Sequence, residues 1–177
     1  MLAEEDIILA QKGDKDAFMR IILDSQDSLY RVSKGILRND NDCADAIQNA
    51  IEKAYDSISK LKKANYFKTW MIRILINECY NILKLKNKSV AIETVDIMAT
   101  YEMNLDESID LTAAINQLES HYRSVIILFY LEDYTINEIA EILQVGPGTV
   151  KSRLNRARTK LGSFLGVANV ERRAKNE

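Results

Sequence analysis

The sequence predicts an all-α protein made of two small helical domains joined by an acidic linker. Three observations support this fold class. The 177 residues include one proline and six glycines, which leaves little of the turn chemistry that strands and hairpins need. Apolar residues recur at helical spacing in two groups, one on each side of a segment without that periodicity. Within this segment, residues 89–110 carry six acids and no base.

The first domain is predicted to contain four helices. One begins after Asp14 and one lies around Ser28, because apolar residues there repeat at intervals of three and four. Apolar residues 47–58 share one face of a third helix, and the side chains of residues 40–42 can cap it. A fourth helix is predicted over residues 67–86. Its buried residues are expected to be Phe67, Trp70, Met71, Ile74, Leu75, Cys79 and Ile82.

The second domain is predicted to open with one long amphipathic helix, because its apolar residues are spaced by four, three, four, three and four positions. They are Leu111, Ile115, Leu118, Tyr122, Val125 and Phe129. The predicted boundaries are residues 1–88 for the first domain, 89–108 for the linker and 109–177 for the second domain.

A helix-turn-helix is predicted in the second domain. Thr135 and Glu138 stand three residues apart as a capping box, so the first helix starts there. Gly146 can cap the second helix, and Pro147 fits its first turn, where no amide partner is needed. Ala140 is small, as a close helix crossing requires. The residues expected to be buried between the two helices are Ile136, Ile139, Ala140, Leu143, Val150, Leu154, Ala157 and Leu161.

The second helix of this motif is predicted to bind duplex DNA. Residues 149–161 hold five cations and no acid. For a helix in the major groove, Arg and Lys reach phosphates or guanine edges, while Ser, Thr and Asn contact base edges or position the helix on the duplex. The predicted DNA-binding residues are Thr149, Lys151, Ser152, Arg153, Asn155, Arg156 and Arg158. A basic, solvated helix in an ordinary bundle is the alternative.

A second polar surface is predicted on the helix over residues 67–86. Its members step by four, three, one and three positions and so share a face opposite the apolar one. They are Arg73, Asn77, Tyr80, Asn81 and Lys84, and the preceding loop adds Lys60, Lys62, Lys63, Asn65 and Tyr66. Cations attract phosphates and rings stack on bases, which suits a single nucleic-acid strand. We expect Tyr66 to touch a base and Trp70 to belong to the core. A solvated helix face explains the pattern equally well.

Nothing in the sequence indicates an enzyme. Two cysteines and one histidine cannot form a disulfide scaffold or a four-ligand zinc site, so Cys43 and Cys79 are predicted to be free thiols in a reducing cytoplasm. His121 has no catalytic partner, and no glycine-rich phosphate loop occurs. No metal, cofactor or small-molecule substrate is expected. The acidic N-terminus and the absence of a long apolar run argue against a secretory signal or a membrane span.

Three motifs, in this order, resemble the extracytoplasmic-function (ECF) sigma factors of bacteria. They are DAIQ at 45–48 with Ile51, Ala54 and Tyr55, then FKTWMIRILIN at 67–77, then EIA at 138–140 with GTVKSRLNRAR at 148–158. The resemblance covers about residues 14 to 165. The sequence departs from the family at Asn81 and Lys84, where Asp and Arg are frequent. It departs in the turn as well, with Gln144 in place of a common Gly and Gly146 in place of a capping Ser.

The resemblance implies a σ2-like first domain and a σ4-like second domain. It implies that the first docks on RNA polymerase core through Asp45, Gln48, Asn49, Glu52 and Tyr55. It implies that the minus-ten element is opened and held by Lys62, Lys63, Asn65, Tyr66, Arg73, Asn77, Asn81 and Lys84. The residues from Thr149 to Arg158 would read the minus-thirty-five element.

The partners implied are RNA polymerase core, promoter DNA and an anti-sigma factor, which is often membrane-anchored. The protein would be cytoplasmic and held at the membrane until a signal arrives. The acidic linker would suit a positively charged polymerase channel, although a solvated spacer explains it equally well. The alternative function is a helix-turn-helix repressor or activator that dimerises through its first helices. Such a regulator has no need for the polar face from Arg73 to Lys84.

Overall fold

The computed structural model describes residues 4–90 and 107–165, and these ranges contain helices and no strand. The predicted all-α fold class is confirmed. The eight α-helices of the described ranges are α1 (Glu4–Gln11), α2 (Lys15–Leu37), α3 (Asp40–Ser57), α4 (Phe67–Val90), α5 (Glu107–Gln117), α6 (Ser120–Ile126), α7 (Ile136–Leu143) and α8 (Pro147–Phe164). Short 3₁₀ turns at Ile58–Lys60 and Ala64–Tyr66 connect α3 to α4. Most of the predicted linker, residues 89–108, lies outside the described residues.

The α2 helix is continuous over 23 residues where the sequence predicted two helices. Asp14 caps its N-terminus, and the Asp14 carboxylate accepts a hydrogen bond from the Ala17 N–H at 2.9 Å. The polar stretch over residues 23–28 is largely exposed and contains no glycine or proline, so it interrupts the apolar pattern without breaking the helix. The α1 helix was not predicted, because its two buried residues, Ile7 and Ala10, are too few to form a periodic signal.

The α3 helix begins at Asp40 and is capped by Asn39, one residue before the predicted capping segment. The Asn39 side chain accepts a hydrogen bond from the Asp42 N–H at 3.1 Å. On the inner face of α3, small residues let α2 and α4 approach closely. Ala46, Ala50 and Ala54 are fully buried there. The helices α1 to α4 form the first helical group. The predicted apolar face of α3 contributes to the core of this group.

The long helix predicted from Leu111 to Phe129 is wrong, because the chain turns between α5 and α6. Glu119 has extended backbone angles and precedes α6. A second irregularity follows, since residues Ile127–Leu131 form a wider π-helical turn. Leu118, just before Glu119, and Val125, after it, are both buried. The spacing between buried residues is therefore the same as in an unbroken helix.

The two helical groups, α1 to α4 and α5 to α8, pack against each other in one shared core. Within it, α2 contacts α6 and α4 contacts α7. Gly35, inside α2, marks the closest approach: a Cβ added there would come within 2.1 Å of Ile127 Cδ1. Glycine inside a helix costs roughly 0.5–1 kcal/mol relative to alanine. At position 35 the glycine allows close packing against Ile127, and any larger side chain there would displace Ile127.

Candidate nucleic-acid interfaces

The predicted helix-turn-helix is formed by α7 and α8. The Thr135 hydroxyl accepts a hydrogen bond from the Glu138 N–H at 3.3 Å, and a Glu138 carboxylate oxygen accepts one from the Thr135 N–H at 2.8 Å. These two bonds confirm the predicted capping box. Gln144 ends α7 in the left-handed conformation, with φ of 54°. Gly146 is the N-cap of α8 and Pro147 its first residue, as predicted.

The contact between these helices is buried as predicted at five positions and less completely at three. Ile139, Ala140, Val150, Leu154 and Ala157 are buried. Ile136, Leu143 and Leu161 are half-buried and pack against the core. The apolar side of α8 is therefore fixed against α7, which leaves its polar side to solvent.

The outer face of α8 carries the residues predicted to bind duplex DNA. Six of the seven are exposed: Thr149, Lys151, Ser152, Asn155, Arg156 and Arg158. Arg153 is half-buried, whereas Arg156 is exposed to solvent. Burial raises the pKa of Tyr80 and lowers that of His121, and the charge of Arg153 makes a smaller, lowering contribution to each pKa. Arg153 is therefore near these two side chains, on the inner side of α8.

Arg158 is already held by its own domain. Its Nε donates a hydrogen bond to the Tyr130 hydroxyl at 2.7 Å. Its guanidinium lies 5.7 Å from the centre of the Phe129 ring and 5.6 Å from that of the Tyr130 ring. Contacts of this kind combine cation–π attraction with a hydrogen bond and fix the direction of the side chain.

A basic cavity of about 650 Å³ lies between the loop before α4 and the start of that helix. Four cations line it: Lys60, Lys62, Lys63 and Arg73. Tyr66 is 46% exposed at its edge, and the Lys63 ammonium lies 5.8 Å from the centre of the Tyr66 ring. The cavity thus joins cations to an accessible aromatic ring, which is the combination that binds a base together with its phosphate.

Trp70 packs against the core, as predicted, but it is only half-buried and also lines the basic cavity beside Tyr66. Behind it lies the buried Phe67, with the two ring centres 6.0 Å apart. Helical spacing shows only that Trp70 is on the apolar side of α4. It does not show that the preceding loop leaves part of the ring uncovered.

The remaining members of the α4 face are divided by the structure. Asn77, Asn81 and Lys84 are exposed along the helix, and Asn65 is exposed in the loop. Tyr80 was expected on the same face, but it turns to α6, where its hydroxyl lies 2.9 Å from the Ser124 hydroxyl. Burial raises the pKa of Tyr80. The prediction for Tyr80 is therefore wrong, because another helix covers this side of α4.

A third surface lies on the solvent side of α3. Its members are Asp45, Gln48, Asn49, Glu52 and Tyr55, all of which are exposed. The Gln48 amide donates to a Glu52 carboxylate oxygen at 3.1 Å, and the Tyr55 ring meets the Phe18 ring edge to face at 5.1 Å between centres. This face is acidic and amphipathic, so it suits a protein partner better than a nucleic acid.

Other kinds of site are not found in the part of the chain that the structure describes. Over residues 4–90 and 107–165, no group of three or more His, Cys, Asp or Glu side chains is placed to hold a metal ion. Over the same ranges, no helix has both the length and the apolar character needed to cross a membrane. Cys43 and Cys79 are buried free thiols, as predicted.

Known proteins resemble the chain in both helical groups. The family model described as Sigma-70 region 2 matches residues 21–89, and that described as Sigma-70, region 4 matches residues 108–161. RNA polymerase sigma factor SigV of Bacillus subtilis is 30% identical over 81% of this chain and 87% of that protein. ECF RNA polymerase sigma factor SigW of the same organism is 29% identical over 93% and 97%.

A solved structure is similar over most of its length. It is the sigma factor RpoE of Bartonella quintana, determined in complex with the anti-sigma factor NepR. The TM-score is 0.71 at 26% identity, and the match covers 85% of this chain and 97% of that one.

Proposed function

Since the chain belongs to the sigma-70 family of RNA polymerase sigma factors, within its extracytoplasmic-function group, we propose which of its surfaces carries each step of initiation. The protein directs promoter-specific transcription by RNA polymerase core. In our assignment the outer face of α8 reads the minus-thirty-five element as duplex. The basic cavity and the exposed residues of α4 hold the minus-ten element as a single strand, and the solvent face of α3 docks on core polymerase.

The observation that carries this assignment is the contrast between the two basic surfaces in one chain. The α8 face is a single exposed helix edge without an acid, which fits the width of a major groove. The cavity beside α4 is concave and contains the rings of Tyr66 and Trp70. A duplex has no unstacked base to offer such rings, whereas an opened strand has.

The exposed face of α3 supports the third part of the assignment. Asp45, Gln48 and Glu52 stand on it at successive turns, so a partner helix can meet all three at once. The Gln48–Glu52 hydrogen bond holds these two side chains in a common direction. This face contributes no residue to the basic cavity, so a protein can occupy it while DNA occupies the other surface.

Control by an anti-sigma factor completes the proposed function. The Bartonella quintana relative was solved with such a partner. We propose that this chain is likewise sequestered, in the cytoplasm, by an anti-sigma factor anchored in the membrane. Release of the partner would then make the α3 face and the two DNA surfaces available together.

Separate loss of docking and of strand opening tests the assignment. Asp45→Ala with Gln48→Ala should abolish binding to purified core polymerase. Asn77→Ala with Lys84→Ala should leave core binding intact but reduce the permanganate reactivity of promoter thymines, which reports unpaired bases. Lys12→Ala with Gln26→Ala is the matched control, because it removes an exposed cation and an exposed amide outside both surfaces.

Two results would contradict the proposal. If both double variants opened the promoter as well as the wild type, the assigned residues would have no role in initiation. If the wild-type protein bound promoter duplex tightly and specifically without polymerase, and neither variant affected transcription, a helix-turn-helix repressor or activator would be the better description.

A further inference from the structure

Tyr130 lies next to the exposed face of α8 but belongs to none of the surfaces assigned above. It is 51% exposed and comes from the π-helical turn Ile127–Leu131, which precedes the helix-turn-helix. Turns of this kind are rare and occur frequently at functional sites. The apolar spacing of the region includes Phe129 and passes over Tyr130, so the role of Tyr130 must be inferred from its contacts.

The hydrogen bond between Tyr130 and Arg158 leaves donors free on both side chains. Arg158 Nε donates to the Tyr130 hydroxyl oxygen at 2.7 Å, so this bond does not use the hydrogen of the hydroxyl. A guanidinium has five N–H donors, and four of them belong to the terminal nitrogens Nη1 and Nη2. The pair therefore places an O–H donor beside several N–H donors and carries a positive charge. Such a group suits an anion with more than one oxygen atom.

The neighbours of the pair leave it cationic and accessible. Phe129 is half-buried, and its ring meets the Tyr130 ring edge to face at 5.0 Å between centres. The Glu132 carboxylate is turned into the first helical group, where Arg31 Nε donates to it at 2.8 Å, so its charge is balanced there. Tyr130 and Arg158 are both exposed, and their remaining donors can meet a partner.

The position of Arg158 along α8 indicates which part of DNA this partner is. Lys151, Asn155 and Arg158 step by four and three positions, so they share one side of the helix. At 1.5 Å per residue, Arg158 lies about 10 Å beyond Lys151 along the axis. A recognition helix contacts base edges with its N-terminal residues. Further along the helix, a cation on the same side meets the edge of the groove, where the phosphates lie.

We propose that Tyr130 and Arg158 form one binding site for a backbone phosphate of the upstream duplex. The terminal nitrogens of Arg158 and the hydroxyl of Tyr130 donate to oxygens of the same phosphate, while Arg158 Nε stays bonded to Tyr130. The inference rests on the proposed role of α8 and deepens it. It adds to the DNA surface a residue outside the helix-turn-helix, and it assigns Arg158 to positioning the helix on the duplex instead of reading a base.

Two substitutions test the site in holoenzyme, with a duplex that the wild-type holoenzyme has selected from a random pool. Tyr130→Phe keeps the ring and removes the hydroxyl, so it should weaken binding about two- to tenfold, as expected for one hydrogen bond. Arg158→Ala removes a charged donor and should weaken binding roughly ten- to a hundredfold. Circular dichroism verifies that each variant remains helical.

Each substitution has a matched control on α2, outside every surface assigned to DNA or polymerase. Tyr30→Phe removes the hydroxyl of a tyrosine that is 48% exposed and bonded to Asp40 at 3.0 Å. Arg20→Ala removes an exposed guanidinium that is bonded to Asp6 at 2.6 Å. Both controls should bind the selected duplex as tightly as the wild type.

A scan with neutral methylphosphonates, placed at one backbone position of the selected duplex at a time, locates the contacted phosphate. At one position the replacement should weaken wild-type binding, weaken Tyr130→Phe binding less, and leave Arg158→Ala binding unchanged. Arg158→Ala should also reduce the slope of log affinity against log salt concentration by about one, whereas Tyr130→Phe keeps the charge and the slope. Selection repeated with either variant should return the wild-type sequence, because a phosphate carries no base identity.

Three results would overturn the proposal. Wild-type affinity in Tyr130→Phe would show that the hydroxyl does not contact DNA. If the two variants lost sensitivity to methylphosphonates at different positions, the two side chains would not share one phosphate. If selection with Arg158→Ala returned a different sequence, Arg158 would contact a base.

Arg156→Ala in the same assay separates this inference from the proposed function. If Arg156→Ala weakens binding to the selected duplex and neither Tyr130→Phe nor Arg158→Ala does, only the phosphate site is wrong. If none of the three substitutions weakens binding, α8 does not bind the upstream duplex, and its proposed role fails together with the inference.

Discussion

The two basic surfaces of this protein differ in how their side chains are supported. On α8 the cations stand on one helix, fixed by a helix-turn-helix, and most of them face open solvent. Beside α4 they come from a loop of 3₁₀ turns and from the helix that follows, around a cavity with two rings. The first surface is convex and depends on the angle of one helix. The second is concave and depends on the loop conformation and on the buried ring beneath it.

This difference shows why the same residue types can suit two states of DNA. A convex row of cations meets the paired duplex from outside, where base edges are read in the groove. A concave site with rings can accept bases only after they leave the stack. We therefore expect substitutions beneath the cavity to act through its shape, and substitutions on α8 to act through individual contacts.

The largest effect is expected at Phe67, the buried ring beneath the cavity. Phe67→Ala should lower the free energy of unfolding by about 3–5 kcal/mol and abolish single-strand binding, because it leaves a void next to Trp70. Urea denaturation followed by circular dichroism measures the first effect. Tyr66→Ala is the control: it should weaken strand binding and change stability by no more than about 0.5 kcal/mol. Equal stability of the two variants would contradict a supporting role for Phe67.

A smaller effect is expected on the convex surface at Arg156. Arg156→Ala should weaken binding to the upstream element by about 1–3 kcal/mol if its guanidinium contacts a guanine edge. The measurement is the affinity of holoenzyme for a duplex that the wild-type holoenzyme has selected from a random pool. Lys12→Ala removes an exposed cation between α1 and α2, outside the α8 face, and should leave this affinity unchanged. Equal losses in both variants would indicate general charge attraction in place of a specific contact.

The turn that sets the angle of α8 provides a third test. Gln144 has a left-handed backbone conformation, which is unfavourable for residues with a Cβ. Gln144→Gly should therefore raise the free energy of unfolding by about 0.5–1 kcal/mol. Gln26→Gly, at an exposed position inside α2, should have the opposite effect and lower the free energy of unfolding by about 0.5 kcal/mol. A loss in both variants would show that the left-handed conformation costs nothing here.

The smallest effect is expected for the two thiols in the core of the first group. Cys43 and Cys79 are fully buried, and burial raises the pKa of Cys79 to about 12. Burial also raises the pKa of Cys43. Because the thiolate is the reactive form, iodoacetamide at pH 8 should modify neither residue in the folded protein and both after unfolding. Mass spectrometry of the intact chain detects each addition, and modification of the native protein would show that this core opens readily.

The sequence predicted best those elements that carry their own local signals. The start of α2 after Asp14, the capping box of Thr135 and Glu138, and the Gly146–Pro147 start of α8 depend on local signals, and each lies where it was expected. The turn between α5 and α6 was missed because it preserves the spacing of buried residues. Periodicity alone therefore cannot distinguish it from a continuous helix.

The contact between the two groups was not predictable for a different reason. Arg123 and Tyr80 are polar residues in helices, and a polar position usually faces water. Here each meets a polar group of the other helical unit, and a single sequence does not distinguish solvent from such a partner. Glu141 is more than sixty positions away from the cavity that it helps to line, so no local pattern connects them. The exposed residues of α8, by contrast, could be predicted from the periodicity of one helix alone.

The contact between Arg158 and Tyr130 has an entropic consequence. A long cationic side chain normally rotates freely until it meets its target, and ordering it on binding reduces the affinity gained. Arg158 has its direction set beforehand by a hydrogen bond and two aromatic rings, whereas Lys151 on the same helix extends from an exposed position. A guanidinium ordered in advance loses less freedom for each phosphate contact that it makes. Part of the ordering required for DNA binding is thus completed when the domain folds.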